Sequence, residues 1–216
     1  MREAMVPWRT NESFPCDVRD PAAVKAAFDA AEAELGPANQ LVNNAAGNFL
    51  SPTEDLSPNA FHSVVQIVLY GSFHCTTEIG RRLIARKEKG EVLAITTTYA
   101  ATGSAFVVPS AVAKAGVRAL VKSLAVEWAA YGIRLNAIAP GPFPTEGAFS
   151  RLLPGSDVEK QALARIPWKR FARRGEMPEA HYGTLEIGAT YDPKRHHPLL
   201  IPTTGDAYPN WSLEHL

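Results

Sequence analysis

EVLAITTTYAATGSAFVVPSAVAKAG, from Glu91 to Gly116, changes character twice along its length. EVLAIT is a short apolar run, the pattern of a buried strand. TTTYAATGSAF is small, polar and interrupted by Gly103, the composition of a loop. From Ser110 onward apolar residues return at helical spacing. Ala113, Val117, Leu120, Val121, Leu124 and Trp128 form one broad face. Strand, loop and long amphipathic helix in this order are the front of a βαβ unit. Tyr99 falls at the strand end, and Ser110 and Lys114 fall one turn apart early in the helix.

The flanking sequence repeats the alternation. Downstream, Gly132 suits a position just past a helix end, and IRLNAI reads as a strand closed by Pro140-Gly141-Pro142. Upstream, Asp20 and Pro21 read as an N-cap and a first helical residue. Val24, Phe28, Ala31 and Leu35 share a face, and Gly36-Pro37 stops that helix. QLVNNAAG, from Gln40, reads as a short buried strand ending in a polar loop. Ser57 and Pro58 open another helix with Phe61, Val64, Val65, Val68 and Leu69 as its stripe, running to RKEKG. Strands alternating with amphipathic helices predict an α/β fold with a parallel sheet.

Bulk properties narrow the function. The 216 residues suffice for one domain with a sizeable core. Lysine plus arginine balances aspartate plus glutamate at 22 each, so charge offers no reason to expect nucleic acid or an acidic membrane. Two cysteines, Cys16 and Cys75, are too few for a disulfide framework or a zinc cluster and suit a reducing compartment. No apolar run approaches membrane-spanning length. The first residues lack the apolar core of a signal peptide, and Glu3, Pro7 and Glu12 suit a transit peptide poorly. The expected location is cytoplasmic. The six histidines show no metal-ligand spacing, and His196-His197 reads as exposed tail, so no metal site is expected.

CDVRD, NNAAG, Lys114 within SAVAKAG, IRLNAIAPGP and RRGEMPE, in this order, resemble the short-chain dehydrogenase/reductase family. Most members carry a tyrosine four residues before the lysine; here that position holds Ser110. Thr97 stands at the usual serine position and Val68 at the usual helix asparagine. With AAGNF, LSPNAF, YAATGSAFVVPSA and GPFPTEGAFSRL, these departures resemble the 2,4-dienoyl-CoA reductase branch. The similarity covers about Asp17 to Glu179.

The resemblance implies a Rossmann-type parallel sheet with helices on both faces, incomplete at both ends. There is no glycine before Gly36, so the glycine-rich turn and the first two strands are not represented. Residues 1–179 are expected to form the truncated domain and 180–216 a divergent, irregular tail. The implied cofactor is NADP(H) and the implied substrate an acyl-CoA thioester, as in fatty acid β-oxidation. Tyr99 would be the catalytic hydroxyl, with Asn48 beside it on the thioester oxygen. Lys114 would bind the nicotinamide ribose and acidify the site, with Ser110 near the substrate. Asp17 would bind adenine. Asn43, Ala45 and Gly47 would lie along the cofactor, and Pro140, Gly141, Pro142 and Phe143 would face the nicotinamide amide. Arg19, Phe49, Ser57 and Arg151 would contact the acyl-CoA.

Such chemistry needs hydrogen-bond donors where charge develops on the thioester oxygen, and a phenol and an amide both donate. Two alternatives stay open: a relative acting on a carbonyl or alcohol, and a non-catalytic remnant without the phosphate loop. The resemblance also implies a homotetramer, since members of the family often assemble through helices corresponding to 58–86 and 110–131. The alternative is that these apolar faces cover only their own sheet.

Overall fold

The computed structural model describes residues 12–140, 160, 163–164 and 170–171, with the backbone of 184–187, 190–192 and 197–199. Helix α1, Pro21–Leu35, starts where the Asp20 carboxylate accepts from the Ala22 N–H at 2.8 Å. It ends at Gly36, whose φ of 87° suits a residue without a side chain. Strand β1, Gln40–Asn43, follows. Helix α2, Pro58–Val65, is capped by Ser57, whose hydroxyl accepts from the Ala60 N–H at 3.2 Å. It runs through a π-type turn, Gln66–Tyr70, into α3, Gly71–Arg86. Strand β2 is Gly90–Ile95, and the single-turn helix α4 is Tyr99–Thr102. Helix α5 is Val108–Glu127, with Pro109 in its first turn, and strand β3 is Ile133–Ala139.

Strands β1, β2 and β3 are parallel neighbours, with Asn43 opposite Ala94 and Ile95 opposite Ile138. This is the helix-flanked parallel sheet of a Rossmann-type fold. The segment expected to be irregular also contains strands. Thr184–Ile187 (β4) pairs antiparallel with β3, and Thr190–Asp192 (β5) pairs antiparallel with His197–Leu199 (β6). These strands are three or four residues long, too short to read from pattern alone, and backbone pairing gives them their order.

The core lies on one face of the sheet. Val92, Ala94, Leu135 and Ala137 meet Ile79 and Leu83 of α3 and Ala113, Val117 and Val121 of α5. Each such side chain contributes about 1.5–3 kcal/mol when fully buried, Ala less. Among the described residues the helices gather over this face, α5 on β3, α3 on β1, and α1 on α3. Leu93, Ile95 and Ile138 on the other face are only half-buried. β1 departs from the expected buried strand. Among the described residues it is an edge strand, and Val42 is 59% exposed. A short apolar run cannot distinguish an edge from a centre, because that depends on strand order.

One ion-pair hub fastens α1 to α3. The Arg82 guanidinium contacts Asp29 at 2.6 Å, Glu32 at 2.7 Å and Glu78 at 2.6 Å. It also sits over the Phe28 ring at 5.4 Å. Upstream of α1, Val18 rests against Gly71, where an added methyl would come within 2.6 Å of it, and its carbonyl lies 3.0 Å from His74 Nδ1.

Candidate active site

Three parallel strands in register end at one edge of the sheet, so the chain leaves Asn43, Ile95 and Ala139 at the same end. That edge is where open α/β sheets bind ligands. Tyr99 opens α4, four residues beyond β2, and Gly103 N–H holds its carbonyl at 2.9 Å. Its hydroxyl accepts from Asn48 Nδ2 at 3.4 Å and lies 3.2 Å from Ser110 Oγ. Asn48 is oriented by its own loop. Its Oδ1 accepts from the Phe49 N–H at 3.0 Å, which turns the amide NH2 toward the phenol. Ser110 is buried in the first turns of α5, while Tyr99 and Asn48 are half-buried.

Lys114, one turn beyond Ser110, is also buried, and its ammonium donates to the Ile95 carbonyl at the end of β2. Burial pushes it down from 10.5 to about 8. The phenol and the ammonium thus stand at the same strand end with different partners. Above them a second bridge joins the two loops, where Ser51 N–H donates to the Phe106 carbonyl at 3.0 Å.

The other expected residues divide. Asn43 is buried, and its Nδ2 donates to Thr76 Oγ1 of α3 at 2.8 Å, so its side chain anchors the strand end to the core. Ala45 is exposed, Gly47 is half-buried beside Ile67, and Phe49 packs against the core. Ser57 caps α2. Pro140 follows β3 directly and is half-buried. Gly141, Pro142, Phe143 and Arg151 lie outside the described residues.

Asp17 and Arg19, expected to serve different ligands, bind one another. Arg19 Nη2 lies 2.6 Å from Asp17 Oδ2, and hydrogen bonds from Arg19 hold that carboxyl down at about 2. Both line an open recess of about 430 Å³ with Asp20, Asn59, His62, Ser63 and Gln66. Neither Thr76 nor the Ile95 carbonyl announced its role in sequence. A hydroxyl on an apolar helix face is the only trace of the first, and a backbone carbonyl leaves none.

The motif order, the parallel sheet and this strand-end cluster agree with a direct comparison of sequence. Residues 3–182 match the family description enoyl-(acyl carrier protein) reductase. The chain belongs to the short-chain dehydrogenase/reductase family. It is similar to an uncharacterized oxidoreductase of Caenorhabditis elegans, 60% identical over 77% of this chain and 54% of that protein. It is also similar to a probable (3E)-enoyl-CoA-producing 2,4-dienoyl-CoA reductase of the same organism, 50% identical over 68% and 48%. A solved gluconate 5-dehydrogenase from Burkholderia cenocepacia, in complex with NADP and tartrate, superposes with a TM-score of 0.68. It shares 32% identity over 72% of this chain and 60% of its own. The chain spans about half the length of the curated relatives it matches. Within the short-chain dehydrogenase/reductase fold, Tyr99, Asn48, Ser110 and Lys114 gather near the carboxyl end of β2. Among the described residues, no helix is long and apolar enough to cross a membrane.

Proposed function

We propose that this chain belongs to an NADP-dependent reductase of 2,4-dienoyl-CoA-type thioesters acting in fatty acid β-oxidation, in a cytoplasmic setting. One observation carries the reading. Asn48 Nδ2 and Ser110 Oγ converge on Tyr99 Oη, at 3.4 and 3.2 Å, at the carboxyl edge of the sheet.

A bound nicotinamide would supply hydride to the far end of the conjugated thioester. The electron pair displaced by that hydride moves to the thioester oxygen. Tyr99 and Asn48 are the donors for it. Asn48 has a second N–H beyond the one it gives Tyr99, and the Tyr99 proton is free to turn from Ser110 to the substrate oxygen. A proton then arrives at the α-carbon. One hydride and one proton leave the remaining double bond between the two reduced carbons, a 3-enoyl thioester.

The described residues fit the nicotinamide end of such a cofactor. Lys114 is a buried ammonium holding one carbonyl, and its other N–H groups suit ribose hydroxyls. Asp17, at the recess, suits the adenine, and its neighbour Arg19 suits the thioester's phosphates. The pyrophosphate end is different. No glycine precedes Gly36 in the sequence, and the described residues offer no glycine-rich turn before a helix. Exposed Tyr70 and Phe73 on the π-turn and α3, with Val112 and Val126 on α5, support a homotetramer through these helices. Light scattering tests that assembly.

The experiment is titration with NADPH and NADH, followed by cofactor oxidation with a dienoyl-CoA. Tyr99→Phe should keep cofactor affinity and lower turnover by about a hundredfold to a thousandfold, the usual loss of one such donor. Oxidation with ketones but not with the dienoyl thioester favours a second reading, a carbonyl or alcohol dehydrogenase, to which the gluconate 5-dehydrogenase likeness points. Absence of any dinucleotide binding supports a non-catalytic chain.

A further inference from the structure

We infer that Phe106, with Leu50, is the apolar rim that receives the acyl chain of the thioester and sets the chain length the site prefers. This deepens the thioester reading and rests on it. Phe106 has φ 66°, one of two non-glycine residues with positive φ among the described residues. The other, Lys87, ends α3 in a helix-cap conformation. A left-handed conformation costs a residue with a side chain about 1–2 kcal/mol. Burial offsets little of that cost at Phe106, a residue 55% exposed. The strain is held in place by the Phe106 carbonyl, which accepts from Ser51 N–H at 3.0 Å.

That bond has a positional consequence. It fastens the loop after β1 to the loop between α4 and α5 at the point where Leu50, itself 41% exposed, adjoins Ser51. The same two stretches of chain meet at Tyr99, through Asn48, two residues before Leu50, and Ser110, four residues after Phe106. Two exposed large apolar residues therefore lie on the two stretches of chain that build the polar centre, and a backbone bridge between Ser51 and Phe106 joins those stretches. A lone exposed phenylalanine would be ordinary. A strained one, bridged to Ser51 beside a second exposed apolar residue and four positions before a hydrogen-bonding serine, suits a ligand with a polar head and an apolar tail. The acyl chain of a thioester whose carbonyl faces Tyr99 is that ligand.

Phe106→Gly makes a clean test, because glycine relieves the positive φ while deleting the ring. The full chain and the variant are titrated calorimetrically with hexanoyl-CoA and decanoyl-CoA, and both proteins are melted. Wild type should bind decanoyl-CoA about tenfold more tightly than hexanoyl-CoA. Phe106→Gly should weaken decanoyl-CoA by about fivefold, change hexanoyl-CoA by less than about twofold, and melt no lower than wild type. Leu50→Ala should reduce the same preference. An equal loss for both thioesters, an unchanged preference, no preference in wild type, or a lowered melting temperature for the glycine variant overturns the rim. If wild type binds neither thioester, the thioester reading falls with it.

Discussion

The Tyr99 hydroxyl lies 3.2 Å from Ser110 Oγ, while Lys114, one turn further along the same helix, donates to the Ile95 carbonyl. A single face of α5 therefore presents a neutral hydroxyl to the phenol and a cation to the end of β2. The two tasks are separated by one helical turn, which places adjacent positions of a face about 5–6 Å apart.

Tyr99 and Ser110 should be energetically coupled. Tyr99→Phe and Ser110→Ala should each cost about 1 kcal/mol of stability, since each removes one partly buried hydrogen bond. The double variant should cost clearly less than the sum, because the bond can be lost only once. Urea denaturation of the four proteins measures the coupling. Strict additivity would show that the two hydroxyls do not interact.

Lys114 should leave a pH signature. Burial lowers its folded-state value from 10.5 to about 8, so between those pH values the unfolded chain holds a proton that the folded chain has released. Stability contributed at this position therefore rises as pH climbs through that window, by about 3 kcal/mol in total. Below about pH 8 the ammonium is charged in both states and its burial is a standing cost. Lys114→Met should remove the dependence. Denaturation midpoints of both proteins at pH 7 and pH 10 should show wild type gaining on the variant, and a constant gap would count against a titrating buried lysine.

Arg82 should be a main attachment of α1. Its guanidinium reaches three carboxylates and lies over Phe28, with only 15% of the side chain exposed. Arg82→Ala should cost about 2 kcal/mol, since Glu32 and Glu78 would be left partly buried without their shared cation. Arg82→Lys should recover less than half of that, because an ammonium cannot fork toward three acceptors in one plane. Hydrogen exchange should show α1 amides losing protection before those of α5. Equal stability of all three proteins would remove the hub.

Gly80→Ala should destabilise, although alanine is the better helix former. A methyl at Gly80 of α3 would overlap the indole of Trp128, which is buried beyond the end of α5. The rigid ring has nowhere to move without opening the core, so a loss of about 1–3 kcal/mol is expected. Thermal melting reports it, and a gain would show that Trp128 shifts freely. Trp128 fluorescence should shift to the red in the same variant.

Much of the fold could be read from local pattern. Asp20-Pro21 and Ser57-Pro58 open helices, Gly36 and Gly132 sit at positive φ, and the apolar face of α5 is buried at Ala113, Val117, Val121 and Leu124. The strand-end loops were legible too, since three parallel strands must end together. Less could be seen of the site. Asn43 and Lys114 read alike as polar residues near a cofactor, yet Asn43 turns to Thr76 and Lys114 to a backbone carbonyl. Arg19 and Asp17 read as contacts for two ligands and form one ion pair. The strands at 184–187 and 190–192 are only four and three residues long, too short for their alternation to stand out among the surrounding prolines and polar residues.

Caps, breakers and apolar spacing settled the order and type of the long helices and parallel strands from Asp20 to Ala139, because those features act within a turn or two of chain. The single-turn helix at Tyr99–Thr102, read as loop, and the π-type turn at Gln66–Tyr70 went unannounced. Three-dimensional packing alone decided which polar groups meet. Asn48 and Tyr99 are 51 positions apart, and Asn43 and Thr76 are 33 apart. Such pairs depend on strand order, register and the rotation of each helix about its axis. A one-residue slip in register turns a strand side chain to the opposite face, and one residue along a helix swings it by about 100°. No local stretch of residues carries that information.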